Sequence, residues 1–494
     1  MRWSRASIHA GGIRAGVRPG SGYDRDDRGG HVKGNSKVAV VVLAAGKGKR
    51  MKSDVPKVVH LLCGRPVVGF ALDAVNDIGP GEVVLVVSPA SEMVREAAGP
   101  DIHCVEQPEP LGTGHAVQVA LKEIGPEFEE IIVIPGDSPL ISGATLQALL
   151  DSRRGEDAAA AMMTVELEDP SGYGRVIRDA DGNVKRVVEE ADASEEERAV
   201  KEINACTYAF ERSRLEPALE TLTTDNAQGE YYLTGVVERY VAEGSKVAPV
   251  PSPEYEALGI NDRAQMALAE AFIRRKVNGA LMAEGVTLVD PDRTYIDYGV
   301  EVGRDTVIMP LVFITGGSRI GERCRLGPCT AINDSVVGDR SSVEFSWLDG
   351  SEVGEDVNVG PYSRLRPGCR VGPGAKVGSF VEMKKTVVGR GSKVPHLSYI
   401  GDAVIGEDVN VGAGSITCNY DGEKKHTTEI DDGAFLGSDT MLIAPVRVGK
   451  GAVTGAGSAI SEDIPDGSLG IERCEQHNVP DWREKKKGKG RRNK

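Results

Sequence analysis

The stretch "VGEDVNVGPYSRLRPGCRVGPGAKVGSFVEM", Val353 to Met383, carries an apolar side chain at every sixth position: Val353, Val359, Leu365, Val371, Val377 and Met383. Neither a helix (period ~3.6) nor a half-buried strand (period ~2) produces that spacing. A six-residue beat is the signature of a parallel β-helix, in which each flat face of a coil sends one apolar side chain inward. The same beat runs through Val302, Ile308, Ile314, Ile320, Leu326 and Ile332. Glycine often follows the inward position, as in "IGERCR" and "IGEDVN". So thin a coil buries few rings, which suits 61 glycines against an aromatic content of 5%. The beat breaks after Thr417, where "CNYDGEKKHTTEIDDGAF" is expected to loop out of the coil. Loops extruded from repeats tend to sit on a binding face.

Upstream the pattern is different. From Lys37 to Asp262, short Val/Ile-rich runs such as "KVAVVVLAAG", "GEVVLVVS" and "IIVIPGDSPL" alternate with helical stretches such as "PVVGFALDAVNDI". Continuous apolar strands separated by helices predict a parallel sheet covered on both faces, an α/β Rossmann-like arrangement. The expected organisation is an extension over 1–36, an α/β domain over 37–262 and a connecting helical segment over 263–285. A β-helix over 286–470 and a C-terminal arm with a basic tail over 471–494 complete it.

The formal net charge of −15 at pH 7 speaks against general nucleic-acid binding, although both chain ends are locally basic. Eight cysteines without a C-x-x-C pair suit reduced thiols in a cytoplasmic protein, and no histidine near Cys324 and Cys329 completes a zinc set. No apolar run approaches the ~20 residues that span a bilayer. Residues 1–36 lack the apolar core of a secretory signal and read as disordered; a translational start at Val32 would also suit the chain. The terminal "WREKKKGKGRRNK" reads as a solvated basic run.

Ligands of open α/β sheets sit at the carboxyl ends of strands, where both Gly46 and Asp137 fall. "LAAGKGKRM" fits neither a Walker loop nor a dinucleotide fingerprint, yet glycine amides and cations at a strand end still make a phosphate cradle. Asp137 in "GDSPL" reads either as a turn cap or as a ligand of a hard cation. Magnesium needs only one or two protein oxygens beside substrate phosphate. Arg50 and Lys57 would then neutralise phosphates during in-line displacement at phosphorus.

Taken in order, "LAAGKGKRM", "PKVVH", "LGTGHAV", "GDSPL", "GYGRVIR" and "NAQGEYYLTG" resemble the sugar-1-phosphate nucleotidylyltransferases. They look like the uridylyltransferase half of the bifunctional bacterial enzymes that make UDP-N-acetylglucosamine, a cell-wall precursor. The resemblance extends from about Lys37 to Trp482. It implies that Leu43, Ala44, Ala45, Gly46, Gln107, Gly112 and Thr113 hold the uridine nucleotide and that Arg50 and Lys57 meet its phosphates. It further implies Gly172, Glu189 and Asn204 for the sugar, and Asp137 with Asn261 for Mg2+. Two departures stand out: Lys49 where the family usually has a small hydroxyl residue, and Ala205-Cys206 where it has Thr-Gly.

The coil region has its own chemistry. Arg366 and Lys384 are 18 residues apart, one coil, and so share a face; His396 lies 12 further on, and the extruded loop adds Tyr420, Lys424 and Lys425. Cations beside a histidine suit a phosphorylated amino sugar, because an imidazole can take the ammonium proton while the amine attacks an activated acyl group. "FVEMKK", "HLSYIGD", "GAGSITCNYDG" and "GSDT" resemble the acetyltransferase half of the same family. That resemblance implies His396 as general base, and Arg366, Lys384 and Lys425 as ligands of glucosamine-1-phosphate with Glu382 behind them. Tyr399, Asn410 and Tyr420 would also line the sugar site, and Ala413, Asn419, Tyr420, Ser438, Ala456 and Arg473 would contact acetyl-CoA. In that family the cleft lies between subunits, so a homotrimer is expected. Two alternatives stand beside this reading: a nucleotidylyltransferase whose β-helix serves only to oligomerise it, and a non-enzymatic subunit of a translation-factor assembly.

Overall fold

The structure, a computed structural model, describes residues 35–46, 48–89 and 91–489. Apart from Asn35 and Ser36, where a strand begins, the expected extension lies outside the described residues, as does the tail beyond 489. The chain divides into two compact units, and the boundary between Ala269 and Glu270 falls inside a helix spanning Arg263–Ala283.

The first unit is built on one nine-stranded sheet. Its strands are β1 (Asn35–Leu43), β2 (Pro80–Val87), β3 (His103–Glu106), β4 (Glu130–Pro135), β5 (Ala160–Glu166), β6 (Gly174–Arg178), β7 (Val184–Val188), β8 (Glu202–Glu211) and β9 (Val247–Pro251). The spatial order is β9–β5–β8–β4–β1–β2–β3, with β6 set between β8 and β7 off this path. Alternate residues of β1 feed separate cores: Val38, Val40 and Val42 pack with Ala71, Val75 and Leu146, whereas Ala39 and Val41 pack with Val117, Leu215 and Val236. Both faces are thereby covered, and this explains why the strand reads as continuously apolar.

The sheet is mixed rather than wholly parallel. Strands β1 to β4 run parallel and β9 runs parallel to β5, but β8 is antiparallel to both β4 and β5. The reversal occurs at the β6–β7 hairpin: β6 is antiparallel to both β7 and β8, so the link from Val188 to Glu202, with its four-residue helix (Glu195–Arg198), crosses over β6 and keeps the reversed direction of β7.

In the second unit, strands of two to four residues stack into three parallel sheets of eleven, ten and nine strands. Successive coils are in register, as in Leu365↔Met383↔Ile400 and Val359↔Val377↔Val394. All six residues of the Val353–Met383 series are 3% exposed or less. Each such side chain contributes about 1.5–3 kcal/mol through burial. The glycines after inward positions answer to close coil stacking: a Cβ on Gly389 would lie 2.3 Å from the carbonyl oxygen of Gly406. At buried corners small hydroxyls complete the backbone bonding, as where Thr306 donates to Gly321 O (2.8 Å) and accepts from Cys324 N–H (3.0 Å).

The excursion from the coil is shorter than the sequence suggests. Thr417 points inward, the chain leaves at Asn419, and it rejoins the sheets at Thr428–Ile430 and Phe435–Leu436. Thr428 and Ile430 supply the inward side chains that restart the beat.

Leu365→Ala should lower the stability of this unit by about 2–5 kcal/mol, because neighbouring coils cannot collapse into the cavity. Urea denaturation followed by circular dichroism measures it, and an unchanged midpoint would count against this packing.

Candidate functional site

Two side-chain clusters are present, one in each unit. The first forms where parallel strands end. Ala44 N–H donates to Val86 O, Gly136 N–H to Leu43 O and Gln107 N–H to Val87 O, all at 2.8 Å, so the ends of β1, β2, β3 and β4 are tied together. The glycine loop after β1 folds over Lys57: a Cβ on Gly46 would stand 3.7 Å from Lys57 Cε, and one on Gly48 (φ +54°) 3.0 Å from Lys57 Cβ. Lys57 in turn forms an ion pair with Asp137, which is itself buried. Asp137 Oδ2 and Asn261 Nδ2 both lie within 4 Å of the point that a Cβ on Gly259 would occupy. Arg50 is exposed at the mouth of this cluster, while the side chain of Lys49 lies outside the described residues.

Around it, Gln107 is buried, with Nε2 donating to Gly112 O (3.0 Å) and 3.1 Å from His115 Nδ1. Gly112 (φ +108°) is obligatory, since a Cβ there would lie 2.6 Å from Tyr231 O. The hydroxyl of Thr113 accepts from Leu233 N–H at 3.1 Å. Beyond these lie Glu189, Asn204 and Gly172. Burial pushes the Glu189 carboxyl above the ordinary range, opposed by the Thr234 hydroxyl 3.1 Å from Oε1. Asn204 is buried on β8, and Gly172 N–H donates to Glu190 Oε2 at 3.1 Å.

Sequence reasoning passed over Tyr173 and Thr234, both inside motifs it had quoted. Burial, and after it the charge of Asp137, push the Tyr173 hydroxyl up, while the Gly259 backbone and Arg50 oppose them; the ring therefore sits among the site residues. Its place beside Gly172 in "GYGRVIR" was the available signal.

The second cluster lies on one face of the β-helix and the corner next to it. Glu382 and Tyr399 are in register on adjacent coils, and Arg366 Nη1 is 3.1 Å from Glu382 Oε1. Lys384 pairs with Gly401, and the absent side chain at Gly401 leaves room for the Tyr399 hydroxyl and the Asn419 amide, each within 3 Å of where its Cβ would be. The extruded loop is shaped by Asp421, which accepts from Glu423 N–H and Lys424 N–H (both 2.7 Å) and lies 2.6 Å from His426 Nε2. It delivers Lys425 against Lys384, and that neighbouring ammonium pulls the Lys425 pKa down. Two cations pressed together make a site for an anion.

His396 is exposed at the adjoining corner. Coil by coil along that corner, Leu397 N–H donates to Ser379 O (2.9 Å), Gly414 N–H to His396 O (3.3 Å), Asp439 N–H to Ala413 O (2.7 Å) and Gly457 N–H to Ser438 O (2.8 Å). His396, Ala413, Ser438 and Ala456 thus belong to one column, and Arg473 Nη1 reaches back to Ala456 O at 3.1 Å. Asn410 stands apart, on the sheet that carries Lys393 rather than with Arg366 and Lys384.

A sheet-end cradle in one unit and a hexapeptide coil with a cationic face in the other define a nucleotidyltransferase joined to an acyltransferase. The MobA-like NTP transferase domain model matches residues 40–238, and the bacterial transferase hexapeptide (six repeats) model matches residues 350–385. The coil is accordingly a hexapeptide-repeat, left-handed β-helix. Three relatives share one title, "Bifunctional protein GlmU". That of Heliobacterium modesticaldum is 48% identical over 88% of this chain and 96% of its own, and that of Carboxydothermus hydrogenoformans 48% over 90% and 99%. That of Caldanaerobacter subterraneus subsp. tengcongensis is 47% identical over 91% and 98%. The chain belongs to the GlmU family of bifunctional uridylyltransferase/acetyltransferases.

Glu189→Gln should stabilise the first unit at neutral pH. The wild-type carboxyl titrates higher in the folded than in the unfolded chain, so wild-type stability falls as pH rises through that interval, and the glutamine has no such loss. Thermal melts at pH 4 and pH 7 should show the variant's advantage only at pH 7; an equal difference at both would refute the assignment.

Proposed function

We propose that the β-helix acetylates glucosamine-1-phosphate from acetyl-CoA and that the α/β unit then joins the product to UMP from UTP, releasing pyrophosphate. The observation that carries the first half is the crowding of Lys384 and Lys425 with Arg366 nearby, because cations held together favour a phosphate between them. Those groups bind the sugar phosphate, with Tyr399 and Tyr420 bounding the sugar. His396 takes the ammonium proton, leaving the amine lone pair free to attack the thioester carbonyl. Ala413, Ser438 and Ala456, stacked beyond His396 on one corner, give the acyl carrier a track, and Asn419, Tyr420 and Arg473 hold its ends.

In the α/β unit the residues suit a hard cation: a buried carboxylate and an amide converge, and a lysine ammonium already sits on the carboxylate. Asp137 and Asn261 would hold Mg2+, which supplies charge neutralisation at the phosphates. Lys57 and Arg50 neutralise phosphate oxygens from the other side. Leu43 to Gly46, Gln107, Gly112 and Thr113 seat the uridine nucleotide at the strand ends, while Gly172, Glu189 and Asn204 orient the sugar so that its phosphate oxygen faces the α-phosphorus.

The active form we infer is a homotrimer in the cytoplasm. It is supported by an exposed apolar column at the His396 corner: Tyr362 (56% exposed), Phe380 (58%) and Leu397 (63%) sit one coil apart, the two rings stacked at 5.2 Å. A second copy covering that column would arrive beside His396. Among the described residues, no helix is long and apolar enough to cross a membrane.

His396→Ala should cut acetyl transfer by about 10²–10⁴-fold and leave uridylyl transfer near wild type. Asp137→Ala should do the opposite. Separate assays of the two steps check both, and loss of both activities in either variant would contradict two independent sites.

A further inference from the structure

Cys206 is held in a backbone conformation that suits glycine. Strand β8 carries a bulge against β5: pairing runs Asn204↔Thr164 and then Tyr208↔Met162, so the β8 side holds two residues more than its partner. Within the bulge Cys206 has φ +56°, in the left-handed region where a side chain is disfavoured. Its N–H donates to Asn204 Oδ1 at 3.2 Å, which ties the bulge to that amide.

The side chain is half-buried: one part packs against the core that holds Tyr208 and Leu215, and the rest is open beside Asn204 and feels the charged site. Three groups from three other segments act on it: the carboxylates of Glu189 and Asp137 and the ammonium of Lys57. Enclosure by the surrounding protein, followed by those carboxylates, pushes the thiol up to about 12, so it stays protonated and poorly nucleophilic at neutral pH. Cys206 is a free thiol. A strained non-glycine residue with neither disulfide nor nucleophilic duty, bonded through its N–H to Asn204 and only half covered by the core, puts bulk beside the sugar-side amide.

We propose that Cys206 is a specificity-determining wall of the sugar subsite, limiting the size of substituent that a sugar-1-phosphate carries into uridylyl transfer. This rests on the reading of Glu189 and Asn204 as sugar ligands. Removing a CH2–SH from a snug wall opens space comparable to one or two methylenes, enough to shift discrimination about tenfold.

The test uses Cys206→Gly and Cys206→Ala in the full chain with UTP. The substrates are N-acetylglucosamine-1-phosphate, its N-propionyl and N-butyryl analogues, and its C4 epimer. Relative to the N-acetyl parent, kcat/KM for at least one analogue should rise about tenfold in the glycine variant, mainly through KM, with the alanine variant between. Thermal melting of the glycine variant should equal or exceed that of the wild type, since its backbone strain is relieved. Ratios within twofold of wild type for every analogue in both variants would overturn the wall while leaving the site reading intact. Failure of the wild-type protein to turn over any of the four sugars would overturn the site reading, and the wall with it.

Discussion

Backbone hydrogen bonds between successive coils are what the second unit depends on. Arg366 N–H donates to Met383 O and Glu352 N–H to Cys369 O, each at 2.9 Å, and the same ladder repeats along the domain. It holds residues one coil apart at the strand spacing of about 4.8 Å. Inward positions must then carry aliphatic side chains that fit a narrow shared core, and glycine must follow where the next coil comes closest. Outward positions stack into columns that nothing in the core constrains. The proposed acetyl-transfer chemistry occupies two such columns, the Arg366–Lys384–Tyr399 face and the His396 corner.

The first unit relies on a related constraint, applied once rather than repeated. Parallel strands bonded side by side end at one edge, and the loops leaving that edge converge. Lys57 reaches Asp137 because the glycine loop after β1 and the turn after β4 leave neighbouring strands. The two clusters differ in electrostatic design. The sheet-end cluster neutralises itself through the Lys57–Asp137 pair, whereas the coil cluster keeps two ammonium groups in mutual repulsion. The first exchanges partners when phosphates arrive; the second gains from any anion that separates its charges.

Much of this was legible in the sequence, for a physical reason. A six-residue beat has one structural solution, so the β-helix, its register and the pairing of Arg366 with the Lys384 coil follow from counting. Strand-end glycines and an acid in a Gly/Pro turn likewise point to one edge of an α/β sheet. What stayed hidden depends on tertiary placement. The antiparallel direction of β8 follows from a hairpin whose two short strands, "GRVIR" and "VKRVV", carry nothing in their sequence that marks direction. The early return of the coil at Thr428 hangs on a small threonine serving as an inward residue. Asn410 sits on a different sheet from the cationic cluster because the coil turns a corner between Val411 and Ile416. Tyr173, Thr234 and the strained Cys206 acquire meaning only when Asp137, Glu189 and β8 come together.

The central claim is that one chain holds two sites used in sequence, and product analysis with substrates left out one at a time tests it most directly. With glucosamine-1-phosphate, acetyl-CoA and UTP all present, mass spectrometry should find UDP-N-acetylglucosamine. Without UTP, N-acetylglucosamine-1-phosphate should accumulate, and without acetyl-CoA the UDP-sugar should be absent. UDP-glucosamine forming as readily without acetyl-CoA, or no acetylated sugar without UTP, would contradict the account.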